Sequence, residues 1–283
     1  MGGTLHVVAT PIGNLEDITL RALRVLREAA VIAAEDTRRT AKLLSHHGIR
    51  SRMVSFHAHN TQARLPQLLE ILRQGQDIAL VTDAGTPGVS DPGVELVAVC
   101  VEAGIAVDPV PGVSASLAAA VASGFPLVPL TIFGFVPSRA KDRMAWLTDV
   151  AAVENTVTFF ETPHRIADTL RDAASLLGER PIVVARELTK LHQQFLRGNC
   201  ASVAAELGTP RGEYTVVLGP STAAANREPA TDDEVLAEFC RMPDSMAPSR
   251  RSRLAEVARK CRRPVREVYA LAERHKQSGK CPI

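Results

Sequence analysis

The chain has 283 residues, is 46% hydrophobic and carries a formal net charge of +2. That length allows more than one domain around a large core. The absence of any run of 18 apolar residues argues against a membrane span, and MGGTLHVVATP at the start lacks the basic-then-apolar pattern of a signal peptide. Five cysteines (Cys100, Cys200, Cys240, Cys261 and Cys281) are widely spaced with no C-x-x-C pair. This argues against zinc and disulfide frameworks and favours a reduced cytoplasm. The small net charge hides an asymmetry. Residues 241–283 carry 12 Lys/Arg against 4 Asp/Glu, whereas the first 240 carry 21 against 27. An acidic body with a basic end piece points to a polyanionic partner for that end.

In chain order, strand-like and helix-like runs alternate. LHVVAT (5–10) reads as a strand, ITLRALRVLREA (18–29) as a helix, VIAAED (31–36) as a strand and TRRTAKLLSHHG (37–48) as a helix. MVSFH (53–57), DIALVT (77–82) and AVDPVPG (106–112) continue the strands. ARLPQLLEILRQG (63–75), VELVAVCVEAG (94–104) and VSASLAAAVASG (113–124) continue the helices. Such alternation predicts a mostly parallel sheet with helices on both faces. Beyond Pro126–Pro129 the pattern turns strand-rich: 130–135, 156–161, 181–189, 195–199 and 213–219, with one helix at 164–178. A mixed second sheet is expected. We expect domains at 1–127 and 128–220, a linker at 221–233 and a small basic all-α piece at 234–283. Its short helices resemble a helix-turn-helix unit, with Ser249 and Pro264 as start signals.

Chemistry-bearing residues gather at the ends of these strands, where open α/β sheets bind ligands. TDAGTPGVSDPG (82–93) has three glycines, two prolines and two aspartates, and is neither a P-loop nor a G-x-G-x-x-G turn. Its glycines admit close approach to a ligand, and Asp83 can meet a hydroxyl or ammonium group. Pro11 and Gly13 suit a bend beside a ligand. In AEDTRRT (34–40), Glu35 and Asp36 are candidates to accept a proton or hold a ribose, Arg38 and Arg39 to meet phosphate; Asp36 or Thr37 can equally cap a helix. His57 and His59 fall on opposite faces of a continuing strand, which makes them poor joint metal ligands. PGVSAS (111–116) offers a small-residue helix start with Ser114 as a donor. FFETPHR (159–165) and ARELTKLHQQFLRG (185–198) add Glu161, His164, Arg165, Arg186, Glu187, Lys190, His192 and Arg197. No Ser-His-Asp order, H-E-x-x-H or nucleophilic cysteine context appears, so positioning plus one proton acceptor fits the inventory.

PIGNLEDIT, AEDTR, DAGTPGVSDPG, PGVSAS, FFETPHR, ARELTK and GEYTVVLG together resemble the tetrapyrrole methylase superfamily. Within it they are similar to the rRNA small-subunit methyltransferase I family. The resemblance runs from near the N-terminus to about residue 220. It implies two α/β domains with S-adenosylmethionine in the cleft, a helix-turn-helix-like C-terminal domain, a homodimer, no metal, and 2′-O-methylation of a cytidine in 16S rRNA. Carried over, Asp83, Gly85 and Thr86 lie against the donor's amino-acid and ribose parts. Ser114 and Ala115 give backbone contacts, and Pro11 floors the cleft. Phe160, Glu161, Tyr214 and Thr215 surround the adenine. For the proton acceptor we favour Asp36, supported by Arg38, with Glu161, His164 and Arg186 as second choices. Phosphates fall to Arg38, Arg39, Arg139, Arg165 and the tail residues Arg250, Arg251, Arg262 and Arg263. The chain departs from the pattern at Ala58, Gln193 and Gln194, where acidic residues are expected, and at Ala140 and Asp142 in a usually more basic stretch. The competing expectations are a porphyrin or corrin methyltransferase, which has no need of the basic tail, and a non-catalytic donor-sensing RNA-binding protein. A nicotinamide dehydrogenase lacks its glycine fingerprint.

Overall fold

Strands without polar alternation, VIAA and IALV, belong at the centre of a sheet covered on both faces, and a computed structural model of the chain, describing residues 2–221, 230–241, 249–261 and 263–277, places them there. β1 (Thr4–Val8), β2 (Val31–Ala34), β3 (Met53–Ser55), β4 (Ile78–Val81) and β5 (Ala106–Val110) form a parallel sheet ordered β3-β2-β4-β1-β5. The two-residue period divides the helices between its faces. Ile32, Ala34, Ala79 and Val81 pack under α1 (Leu20–Glu28) and α2 (Thr37–His46). Val31, Ala33, Ile78 and Leu80 pack under α3 (Thr61–Arg73) and α4 (Val94–Glu102).

The second sheet is mixed, ordered β6-β7-β10-β8-β9: β6 (Leu130–Phe135), β7 (Thr156–Glu161), β8 (Ile182–Arg186), β9 (Gln194–Gly198) and β10 (Tyr214–Leu218). Only β6 and β7 run parallel. One face, with Phe159, Val184 and Val216, packs on α6 (Ala140–Ala152), α7 (Ile166–Leu177) and α8 (Cys200–Glu206). The other face, with Val183, Ala185 and Val217, receives α5 (Ala115–Ser123) through Ala119, and Ile12 and Leu188 join the same cluster. The small residues of α5 permit this close approach. A helix that follows the first sheet thus packs on the second, and residues 1–222 form one compact unit.

Residues 223–283 form a second unit. Helices Asp232–Arg241, Arg250–Cys261 and Val265–Gln277 surround Val235, Phe239, Leu254, Val257, Val268 and Leu271. Thr231 and Glu234 cap the first helix reciprocally. The Ser249 hydroxyl accepts from Ser252 N at 3.2 Å at the start of the second.

Several sequence expectations need correction. The helix at 140–152 was not foreseen because its inner stripe reads Arg143, Leu147, Val150. Arg143 is buried by an ion pair with Asp172 at 2.7 Å, a pairing no periodicity reveals. The helix at 200–206 is short and rests on an Asn199–Ser202 capping box. The third strand stops at Ser55 rather than residue 57, because the Asn60 side chain accepts from His57 N and donates to Ser55 O. His57 and His59 therefore sit in a turn, ring centroids 6.0 Å apart, and not on opposite strand faces. The strand from 181 ends at Arg186, and Glu187 and Thr189 adopt left-handed φ values of 52° and 66°. The helix expected from 234 begins at Asp232. Residues 222–229 of the expected linker lie outside the described residues.

One buried cation ties the second sheet together. Arg180, 2% exposed, donates to Gly219 O at 2.8 Å, Val150 O at 3.3 Å and Asn155 O at 2.8 Å. Truncation orphans three carbonyls. Arg180→Ala is expected to lower unfolding stability by about 3 kcal/mol in urea titration. A loss below about 1 kcal/mol would mean that water replaces the guanidinium.

Candidate active site

The C-terminal ends of β1, β2 and β4 are laced together by polar groups. Thr10 and Gly85 exchange backbone hydrogen bonds, both 2.9 Å. Asp36 N donates to Asp83 Oδ1 at 3.0 Å, and Asp83 N donates to Glu35 Oε2 at 3.1 Å. Each carboxylate thus holds the backbone of the neighbouring strand's end. The loop that follows turns at Gly85 (φ 84°) and Gly88 (φ 85°), positions that disfavour any side chain.

Above these ends lies a cavity of about 490 Å³, the size range of small-molecule sites. The first sheet's side contributes Ile12, Glu35, Arg39, the stretches 83–86 and 89–91, and the α5 start at Ser114–Ala115. The second contributes Phe135, the stretch 160–163, Leu188 and the stretch 213–215. Ser114 is the residue preceding α5, yet its side chain makes no capping bond, which leaves the hydroxyl uncommitted beside the helix N-terminus. Phe135 and Phe160 pair with centroids 5.3 Å apart and ring planes tilted by 48°, an apolar aromatic wall. The strand period explains Phe160: its neighbour Phe159 points into the core, so Phe160 points to the cavity. Where the two halves meet below the cavity, a Cβ on Gly13 would stand 2.6 Å from Lys190 Cγ and 2.9 Å from Leu188 O, so only glycine fits.

The cavity brings together Glu35, Arg39, Asp83, Gly85, Thr86, Ser114, Ala115, Phe160, Glu161, Tyr214 and Thr215 of the residues singled out from sequence. Thr86 Oγ1 donates to Val113 O at 3.3 Å. The Tyr214 phenol oxygen accepts from Arg211 N at 3.2 Å. Pro11 is buried beside the lining residue Ile12 and does not line the cavity itself.

The other candidates have different surroundings. Asp36 lies outside the cavity lining and precedes α2. Its Oδ1 accepts from Arg38 N at 2.8 Å and its Oδ2 pairs with Arg38 at 2.9 Å. The Arg38 hydrogen bonds hold its carboxyl at about 2, so the group is a helix cap and a weak base. Glu161, only 2% exposed, accepts from Thr162 N at 2.7 Å, from Thr169 Oγ1 at 2.7 Å and from Arg165 at 2.9 Å. Arg165 also donates to Thr162 Oγ1 and Val136 O, so its guanidinium faces inward. Arg186 donates to Arg211 O at 2.9 Å, and exposed His164 does not line the cavity. Arg139 is exposed at the start of α6. In the second unit Arg251 is exposed, Arg250 opens the middle helix, and Arg263 pairs with Asp232 and with Glu267. Arg262 lies outside the described residues.

Sequence reasoning did not single out Phe135, Ser90 or Asp91. Burial, then the nearby charge of Glu35, push Asp91 up to about 6. The signal for Asp91 was present, since it sits inside the glycine- and proline-rich loop. Its surroundings come from a strand 56 residues earlier and could not be read locally. Among the described residues no group of three His, Cys, Asp or Glu is placed to hold a metal ion, and no helix is long and apolar enough to cross a membrane.

Residues 4–204 match the tetrapyrrole (corrin/porphyrin) methylase family. Three relatives carry the name ribosomal RNA small subunit methyltransferase I. That of Halalkalibacterium halodurans is 46% identical over 76% of this chain and 75% of its own length. Those of Micromonospora olivasterospora (45%; 95% and 83%) and Synechocystis (42%; 95% and 97%) extend over nearly the whole chain. Among solved structures, a uroporphyrin-III C-methyltransferase of Thermus thermophilus superposes with a TM-score of 0.56 at 19% identity, covering 79% of this chain and 97% of its own. A diphthine synthase superposes with 0.61 at 15% identity, covering 86% and 98%. At those identities the likeness extends to the fold alone. The chain belongs to the tetrapyrrole methylase family and, within it, to the ribosomal RNA small subunit methyltransferase I family.

Proposed function

We propose that the protein transfers a methyl group from S-adenosylmethionine to the 2′-oxygen of a cytidine ribose in 16S rRNA. The observation that carries this reading is the cavity itself: the loop 82–93, matched to this methyltransferase family, forms its wall. The residues fit the donor. Gly85 admits close backbone approach, the Ser114 hydroxyl is uncommitted at a helix start, and Phe135 and Phe160 supply a stacking wall for an adenine. S-adenosyl homocysteine, the thioether this donor becomes on losing its methyl, is bound by a uroporphyrin-III C-methyltransferase of the same fold. On this reading residues 1–127 and 128–220 are the two halves of the donor cleft.

The donor supplies an electrophilic methyl on a sulfonium sulfur. The chain aligns the ribose oxygen behind that methyl, excludes water and provides a place for the hydroxyl proton. Basic residues of the second unit hold phosphates. The apolar residues exposed on α5 (Leu117, Val121) and α4 (Val94, Val101) form the contact of a homodimer. A cytoplasmic setting suits both the free cysteines and an rRNA substrate.

The reaction is tested with labelled donor and small subunits lacking the modification. Label recovered as 2′-O-methylcytidine is the expected result. Transfer only to a porphyrin or corrin would replace the RNA reading, and donor binding without transfer to any acceptor would favour a sensor.

The basic tail is tested by replacing Arg250, Arg251 and Arg262 together with alanine. Each lost phosphate contact lowers the slope of log affinity against log salt by about 0.7–0.9, so the triple variant is expected to lose about 2 in slope while donor affinity holds. An unchanged slope means these arginines do not touch RNA.

Sedimentation tests the dimer. The wild type is expected at twice the chain mass, and Leu117→Glu with Val121→Glu is expected to give monomers.

A further inference from the structure

Methyl transfer to a ribose hydroxyl releases a proton, and the cavity offers five carboxylates to receive it: Glu35, Asp83, Asp91, Glu161 and Glu213. Four are engaged. Glu35 accepts from Asp83 N, and Asp83 accepts from Asp36 N and lies 3.4 Å from Arg39. Glu161 is enclosed by Thr162, Thr169 and Arg165, and Glu213 pairs with Lys190 at 3.0 Å. Asp91 has no ion pair among the described residues, and burial with the charges of Glu35 and Asp83 disfavours its charged form.

Its position is held from both walls of the cavity. Next to it Ser90 adopts φ 67°, and its hydroxyl lies against Gly134 of β6, where a Cβ would stand 2.8 Å from Ser90 Oγ. Two residues on, Gly93 adopts φ 140° and lies against Leu80 of β4, where a Cβ would stand 2.9 Å from the Leu80 side chain. The loop is wedged between the first sheet's core and the edge strand of the second, and Asp91 projects from it, half-buried.

We infer that Asp91 is the proton acceptor of the methyl transfer. This rests on the reading that the acceptor is a ribose hydroxyl. As the hydroxyl oxygen forms its bond to the methyl carbon, the carbon–sulfur bond breaks with its electron pair left on sulfur, and the hydroxyl proton passes to an Asp91 carboxylate oxygen. The charged groups facing Asp91 suit that task. Glu35 and Asp83 make a proton welcome, while Arg39, Arg165 and Lys190 are each paired to another carboxylate. A carboxyl raised to about 6 is ionised at neutral pH and is a stronger base than the Arg38-bound Asp36.

The test uses the full chain, Asp91→Asn, small ribosomal subunits and S-adenosylhomocysteine. For the wild type, kcat is expected to rise with pH through an acid limb near 6. The variant is expected to lose about 100-fold or more in kcat and to lose that limb, while its affinity for S-adenosylhomocysteine by calorimetry stays within about threefold. Folding is controlled by thermal midpoint. A carboxyl raised in the native state binds its proton more tightly there than when unfolded, so stability falls as pH rises from about 4 to about 6. Asparagine removes that cost, so the variant is expected to melt no lower than wild type at pH 7.5, with any advantage gone at pH 4. Activity within threefold of wild type overturns the inference. So does a tenfold loss of S-adenosylhomocysteine affinity, which would assign Asp91 to the donor's ammonium. A wild-type chain that binds the donor and leaves RNA unmethylated overturns the RNA reading, and this inference with it.

Discussion

The cavity depends on one exchange: the side chain at the end of each of two parallel strands accepts the backbone N–H beyond the end of its neighbour. Asp83 holds Asp36 N and Glu35 holds Asp83 N. Parallel strands leave such donors free once the ladder stops, and a buried N–H without a partner is costly. The same two bonds therefore finish the sheet, start α2 and aim the loop 82–93 away from the core. They also concentrate acidic side chains at one wall, whose charge adds to burial in raising Asp91.

Much of this was legible because it is local. Continuous apolar tetrapeptides announced central strands, and clustered glycine and proline announced a loop that must bend sharply. The small-residue stretch 113–124 announced a helix whose start admits a ligand, whereas its close packing on Val217 and Val183 of the second sheet emerges only in the structure. What stayed hidden is what distant residues supply. Arg143 interrupts the inner face of α6, and its partner Asp172 lies 29 positions away. Arg165 looked like a phosphate ligand because arginines usually face water. Here Glu161 is buried four residues earlier and draws the guanidinium inward.

Asp36 and Asp91 show why residue type and strand-end position cannot assign a proton acceptor. Both are aspartates in loops that follow central strands. Asp36 receives two donors from Arg38 and is held at about 2. Asp91 receives burial and the charge of Glu35, and is pushed up to about 6. One fold thus holds one carboxyl at about 2 through an arginine and the other at about 6 through burial and nearby negative charge. Burial, and then the carboxylates of Glu35 and Asp83 that the lacing holds beside it, make Asp91 reluctant to ionise.

The same accounting bears on how a polyanion is held. In the first unit the cations near the cavity are largely engaged: Arg38 with Asp36, Arg39 with Asp83, Arg165 with Glu161, Lys190 with Glu187 and Glu213, and Arg186 with a carbonyl. Such pairs neutralise charge that a phosphate would otherwise feel, and the body as a whole is acidic. Residues 241–283 carry three basic groups for every acidic one. On the proposed RNA reading, long-range attraction of a phosphate backbone would fall to this basic segment. On the same reading the cavity is left to discriminate by shape, stacking and the placement of Asp91, which has no ion pair among the described residues.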